Sequence, residues 1–224
     1  MVRRRLYFWS AIIVAAVGAV VAVVAVLDQR SAGQSTSAPG PLVTSFLPGE
    51  YQKAPQACGA VSPAVLDQYV PGRTKPAAVE PLGGQASSQC SWTVDKPHTY
   101  RFLEVQATAY APSGLASGNG SATQAARDAF AAARQQKADP PRSSGQPKAA
   151  VESLSGLGQQ AFSAAQRYTR GGVTEVVTVV ALQRNALVTV VFEARSGGRY
   201  GQSAVSDLTS GAEAAARGVM GKLG

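Results

Sequence analysis

Apolar positions along this chain change period from one stretch to the next, and each change marks an element. From Leu6 to Leu27 the run is uncharged and almost unbroken, 22 residues that as a helix span about 33 Å, enough to cross a bilayer core. Residues 28–57 lose all periodicity. Strict alternation then sets in over TYRFLEVQATAY (99–110), after the shorter strand signal SWTV that begins beside Cys90. Helical spacing follows Ser121, where Ala122, Ala126, Phe130 and Ala133 form one stripe, and it returns at the C-terminus with Val205, Leu208, Ala212, Ala215 or Ala216, Val219 and Leu223.

Between those helices, VTEVVTVVAL and ALVTVVFEAR flank Gln183-Arg184-Asn185 and predict a tight hairpin. With Arg184 and Asn185 as the loop, Leu182 faces Leu187, Val180 faces Thr189 and Thr174 lies beside Arg195. Both faces of that hairpin are apolar, so it requires cover on both sides. A strand is predicted over residues 160–168, and a mobile loop over 139–150. The fold class that results is α+β: an antiparallel sheet of about five strands sandwiched between helices and preceded by one N-terminal transmembrane helix.

The flanks of the first apolar run give it a direction. Arg3, Arg4 and Arg5 precede it and only Asp28 and Arg30 follow closely, so residues 1–5 form a cytoplasmic tail, 6–27 the single membrane span, 28–57 a flexible Ser/Pro/Gly/Ala tether, and 58–224 an extracytoplasmic domain. The localisation expected is therefore the cell membrane, single-pass. Cleavage after Val23-Val24-Ala25 is the rival, and the length of the run favours retention. No cysteine near its end offers a lipid attachment point.

Cys58 and Cys90 are the only cysteines. Ser62, Pro63 and the Val61/Leu66 pair mark a capped helix just after the first; the second heads a strand. In an oxidising compartment a structural bridge is the economical reading. Two thiolates with one histidine in the whole chain do not make an ordinary zinc site, and redox pairs are closely spaced. No metal, cofactor or catalytic residue is assigned.

Composition narrows the function only by exclusion. Beyond Arg30 there remain 17 basic and 12 acidic residues, a modest and dispersed +5 that gives no nucleic-acid footprint. The excess of arginine over lysine, 15 against 6, with abundant Ala, Val and Gly, suggests a GC-rich genome. His98 lies in a turn beside Pro97, no serine sits in G-x-S-x-G, and GLASGNGS (114–121) lacks the lysine of a phosphate-binding loop, so the chain is not read as an enzyme. Arg170, Arg195 and Arg199 gather at one end of the hairpin as an expected anion contact for lipid headgroups or wall phosphates. Trp92, Tyr100, Phe102 and Tyr110 either line a ligand groove or belong to the core.

ACGAVSPAVLDQY, QCSW, VESLSGLGQQA and a hairpin with Asn185 in its turn, spread over about 165 residues, resemble the actinobacterial envelope proteins catalogued as domain of unknown function 3558. That resemblance implies a Cys58–Cys90 pair and a PsbP- or Mog1-type α/β sandwich related to kinase sensor domains. It brings no activity. The chain departs from the pattern in lacking a lipobox cysteine and in carrying Gln159 after Gly-Leu-Gly. The function expected is a membrane-anchored binding or sensing module of the cell envelope, with lipid, cell-wall polymer or an envelope protein as partner; the alternative is a structural or assembly partner with no small-molecule pocket.

Overall fold

The computed structural model describes residues 44–79, 86–113, 120–169, 172–196 and 204–223. The expected membrane span at 6–27 and the tether up to residue 43 lie outside the described residues. Among the described residues no helix is long and apolar enough to cross a membrane.

A single helical turn, α1 (Ala57–Ala60), leads into α2 (Pro63–Tyr69), whose cap is the expected one: Ser62 Oγ accepts from Val65 N at 3.3 Å, and Pro63 occupies the first position. Seven strands follow, interrupted by α3 (Ala122–Ala138): β1 (Ala77–Val79), β2 (Ala86–Lys96), β3 (Thr99–Ala109), β4 (Ala150–Leu154), β5 (Gln160–Tyr168), β6 (Val173–Gln183) and β7 (Ala186–Ser196). Helix α4 (Val205–Met220) ends the domain. The strands form one antiparallel sheet in the order β1-β2-β3-β7-β6-β5-β4.

The α+β class stands, but seven strands replace the expected five. The two additions are the edges, β1 with three residues and β4 with five, too short and too exposed for a periodic signal. β4 and the turn before it also organise part of the stretch expected as a mobile loop. There Lys148 Nζ meets Asp139 Oδ1 at 2.8 Å, and Ala149 N donates to Lys137 O at 3.0 Å. The central hairpin has the expected register, Leu182 opposite Leu187 and Thr174 opposite Arg195, with Arg184 at φ 53° in the turn.

The two faces bury different partners. On one, Val177, Val179, Ala181, Val188, Val190 and Phe192 pack against Leu208, Ala212, Ala215, Ala216 and Val219 of α4 and against α1 and α2. On the other, Phe162, Val180, Leu182 and Leu187 meet Ala126 and Phe130 of α3, and the rings of Phe130 and Phe162 stand edge to face at 5.3 Å. Each large apolar side chain fully buried here contributes about 1.5–3 kcal/mol. Val205, expected on the buried stripe of α4, is exposed; it opens the helix beyond the last strand contacts. Ser121 caps α3 through Gln124 N at 3.1 Å, but Gln124 turns to Asp128 Oδ1 instead of closing a reciprocal capping box.

Small residues let α4 lie close to its neighbours. A Cβ on Gly218 would sit 2.7 Å from the carbonyl oxygen of Ala60, a backbone atom that cannot swing aside. Gly218→Ala is therefore expected to destabilise the domain by about 1–3 kcal/mol despite the better helix propensity of alanine, measured as a shift in denaturant midpoint.

The last part of the expected tether is bound to the domain. Glu50 Oε1 accepts from Thr123 N (2.8 Å) and Thr123 Oγ1 (2.6 Å), Oε2 accepts from Leu47 N (2.7 Å), and Tyr51 is held by Asn185. Those bonds draw the Glu50 carboxyl below its usual range against an opposing effect of burial.

Candidate functional site

Helix α3 covers the sheet only over β4–β6 and the adjoining end of β7. Toward β2 and β3 the same face keeps contact with water, and strand pairing lines its residues up in rows. Phe102 stands opposite Glu193, which stands opposite Val176, then Gln166; one step along, Glu104 stands opposite Val191, then Thr178. Val191 is the centre of this array. Glu104 and Thr178 flank it across the strands, and Thr189 and Glu193 precede and follow it along β7 on the same face.

Two carboxylates here are held in poorly solvated positions. Glu193 is only 6% exposed; burial pushes its carboxyl above the usual range, opposed by the charge and hydrogen bond of Arg195, whose Nε donates to Oε1 at 3.1 Å. Burial likewise raises Glu104, with a side-chain hydrogen bond to Gln89 acting the other way. The Tyr168 hydroxyl is raised by burial and then by the Glu193 charge. At the margin of α3, burial lowers Lys137, whose Nζ donates to Gln166 Oε1 at 3.1 Å, while Gln166 Nε2 donates to Pro147 O at 2.7 Å. Thr178 is 2% exposed and its hydroxyl has no partner among the described residues.

A carboxyl raised in the folded state costs stability once it ionises. Above the raised value the folded chain carries a charge that the unfolded chain hydrates better; below the unfolded value both states are protonated and the difference vanishes. Glu104→Gln should therefore raise the melting temperature near neutral pH, with the gain shrinking as pH falls through the raised carboxyl range to the unfolded one. Melts of both proteins across that range check it. A carboxylate desolvated on a face that still meets water makes Glu104 a candidate functional group.

Of the residues singled out from the sequence, Cys58 and Cys90 are joined, with Cα atoms 5.1 Å apart. The four aromatics do not form one groove. Trp92 pairs with Leu103 and points to the α4 side, 2% exposed in the core. Tyr100 and Phe102 face the Val191 side. Tyr110 lies at the far end, packed against the α3 cluster, with burial raising its hydroxyl. Arg195 stacks on Tyr100 at 4.0 Å and pairs with Glu193, so it is not a free anion contact; Arg170 and Arg199 lie outside the described residues. Loop residues 114–119 also lie outside them. Glu104, Glu193 and Thr178 were not singled out, although acids inside the apolar runs FLEV and VVFEAR were a readable signal.

At the opposite end of the sheet, an open cleft of about 250 Å³ is lined by Tyr51, Gly158, Gln183, Met220 and Leu223, with no charged side chain among them. It offers little to orient a ligand. No protein-family model matches the chain, and no curated protein matches it significantly.

Proposed function

We propose that the chain is a membrane-anchored, extracytoplasmic binding or sensing module of the bacterial cell envelope, and that it recognises its ligand on the partly covered sheet face around Val191. The observation that carries this is the half-covered face itself, where poorly solvated Glu104 and Glu193 and a Thr178 without a partner among the described residues surround an apolar centre. The motif-level likeness to actinobacterial envelope proteins agrees with it, as does the apolar N-terminal run. Binding through a sheet face needs no catalytic group, and none is assigned.

An assembly role would call for a contiguous apolar patch. Among the described residues the exposed large apolar side chains are Leu47 and Val205. They lie at opposite ends of the central hairpin, Leu47 near Arg184 and Val205 beyond the Arg195 end, and form no patch. Lipid headgroups are the weaker choice of ligand because Arg195 is already paired. A wall polymer or its fragments fit the polar, acidic face better.

Val191→Lys, which would place a long charged side chain in the centre of the face, tests the proposal. The full-length protein should be retained by isolated wall polymer, tested beside envelope-lipid vesicles, and the variant should lose at least tenfold of that retention with little change in melting temperature. Equal retention of both proteins would overturn the assignment.

A further inference from the structure

We infer that the Val191 site takes an organic cation, a primary ammonium group on an alkyl chain, received between Glu104, Glu193 and Thr178 with the chain lying on Val191 and Phe102. The inference rests on the binding role proposed above and supplies the ligand class for it.

Three features of the face select that chemistry. First, its polar groups are short of donors: two carboxylates accept, and the Thr178 hydroxyl, 2% exposed and without a partner among the described residues, has capacity to accept a third hydrogen bond. An ammonium brings three donors to one point. Second, the charges do not cancel. Arg195 pairs with Glu193, with its guanidinium stacked on Tyr100, and Lys137 donates to the neutral amide of Gln166 at the α3 margin, so among the described residues no cation is paired with Glu104 beside Val191. An anion would meet that charge unfavourably, and a neutral sugar would leave it uncompensated in a site where burial already disfavours it. Third, the centre and corners of the array are Val191, Phe102 and Val176, an apolar floor with an aromatic ring suited to a methylene chain and a cation.

The register gives this arrangement its convergence. Glu104 and Thr178 approach Val191 from opposite sides on β3 and β6, and Glu193 is a diagonal neighbour of both. Glu193 is held by Arg195 through Oε1. Val180, two residues on from Thr178 on the same face, packs against α3.

The test follows the valine methyl resonances of the full-length protein by NMR during titration with 1,5-diaminopentane, pentan-1-ol and a neutral oligosaccharide in separate arms. The diamine should shift the Val191 methyls saturably and the other two should not. Glu104→Gln should weaken diamine binding about tenfold, the loss expected of one charge-assisted hydrogen bond, and Thr178→Val, nearly the same shape, should weaken it severalfold. Both variants are checked by thermal melting, and Thr178→Val is the safeguard if Glu104→Gln alters the sheet. No shift with diamine, an unchanged affinity in both variants, or a response to the oligosaccharide alone would overturn the cation assignment. If wall retention still depends on Val191 in that case, the binding role survives and only its ligand class falls; if it does not, both fall.

Discussion

Asn185→Ala is expected to lower the unfolding free energy by about 3 kcal/mol, because one side chain closes three segments of the domain on each other. Asn185 is fully buried; its Oδ1 accepts from Tyr51 N at 2.7 Å and its Nδ2 donates to both Tyr51 O and Tyr110 O at 2.8 Å. Its own carbonyl accepts from Tyr110 N at 2.8 Å, so the backbone already places it between the chain entry and the end of β3. Alanine would strand one N–H and two carbonyl oxygens. Each costs about 1–3 kcal/mol if it stays dry, and half-buried Tyr51 would recover part of its hydration, which gives the intermediate total. Asn185→Asp sharpens the expectation. It keeps the acceptor for Tyr51 N but aims an anion at two carbonyls, so it should be at least as damaging near neutral pH and less so in acid, where a protonated carboxyl can donate once. Denaturant midpoints at two pH values measure this. Limited proteolysis should show residues 44–56 released first in both variants, and a loss below about 1 kcal/mol for alanine would mean that the clamp contributes little.

How far the sequence reached depended on burial. The 173–196 hairpin was legible to the residue because both of its faces are buried and a one-residue slip would have exposed every valine. Edge strands β1 and β4 carry no such constraint, and their residues read as loop. The aromatics of the first hairpin were legible as a group but not by side. Rings at Trp92 and at Tyr100 and Phe102 sit on opposite faces once Trp92 pairs with Leu103. Their separation is a matter of register: a turn of even length separates them, and one of odd length would bring them to one face.

The candidate site was less legible for a related reason. A glutamate in an apolar strand is visible, but whether it is a solvated outer residue or a desolvated one depends on how much of the sheet α3 covers. That depends in turn on a helix whose apolar stripe is mostly alanine. Arg195 was readable as a cation near the hairpin's open end. Its neutralisation by Glu193, two residues earlier on the same face, was written in the Glu-x-Arg spacing and is what moves the reading from an anion site to an acidic one. Asn185 was read only as a turn residue, since a polar residue in a turn ordinarily faces water.

Loss of the Cys58–Cys90 bridge is expected to have the largest effect of all, about 3–4 kcal/mol from the entropy of closing a loop of about 33 residues. The bridge also fixes a particular piece of packing. Cys90 is fully buried on β2, and Cys58 lies in α1 between Ala57 and Ala60, which are buried against the sheet and α4. Ala57 N donates to Ser88 Oγ at 2.9 Å, a single hydrogen bond that would hold α1 to β2 in the bridge's absence. Residues 57–70 would then depend on the packing of Ala57, Ala60, Val61, Leu66 and Val70, on the edge contact of Tyr69 with Phe192, on the hydrogen bond from Arg101 to Tyr69 O, and on the close approach of Ala60 to Gly218. Cys58→Ser should therefore melt well below the oxidised wild type and coincide with the reduced wild type, since both lack only the cross-link. Because Cys90 stays in the core in either case, Cys90→Ser should be the worse variant, burying a hydroxyl where a sulfur was. Hydrogen exchange should show the loosening first at α1 and α2 and later at the β6–β7 hairpin, which the bridge does not touch. Free thiols in protein recovered unreduced from cells, or identical melting of oxidised and reduced wild type, would remove the bridge from the account of stability. The Val191 face lies on the opposite side of the sheet from α1, so amine binding should persist in Cys58→Ser at temperatures below its melt.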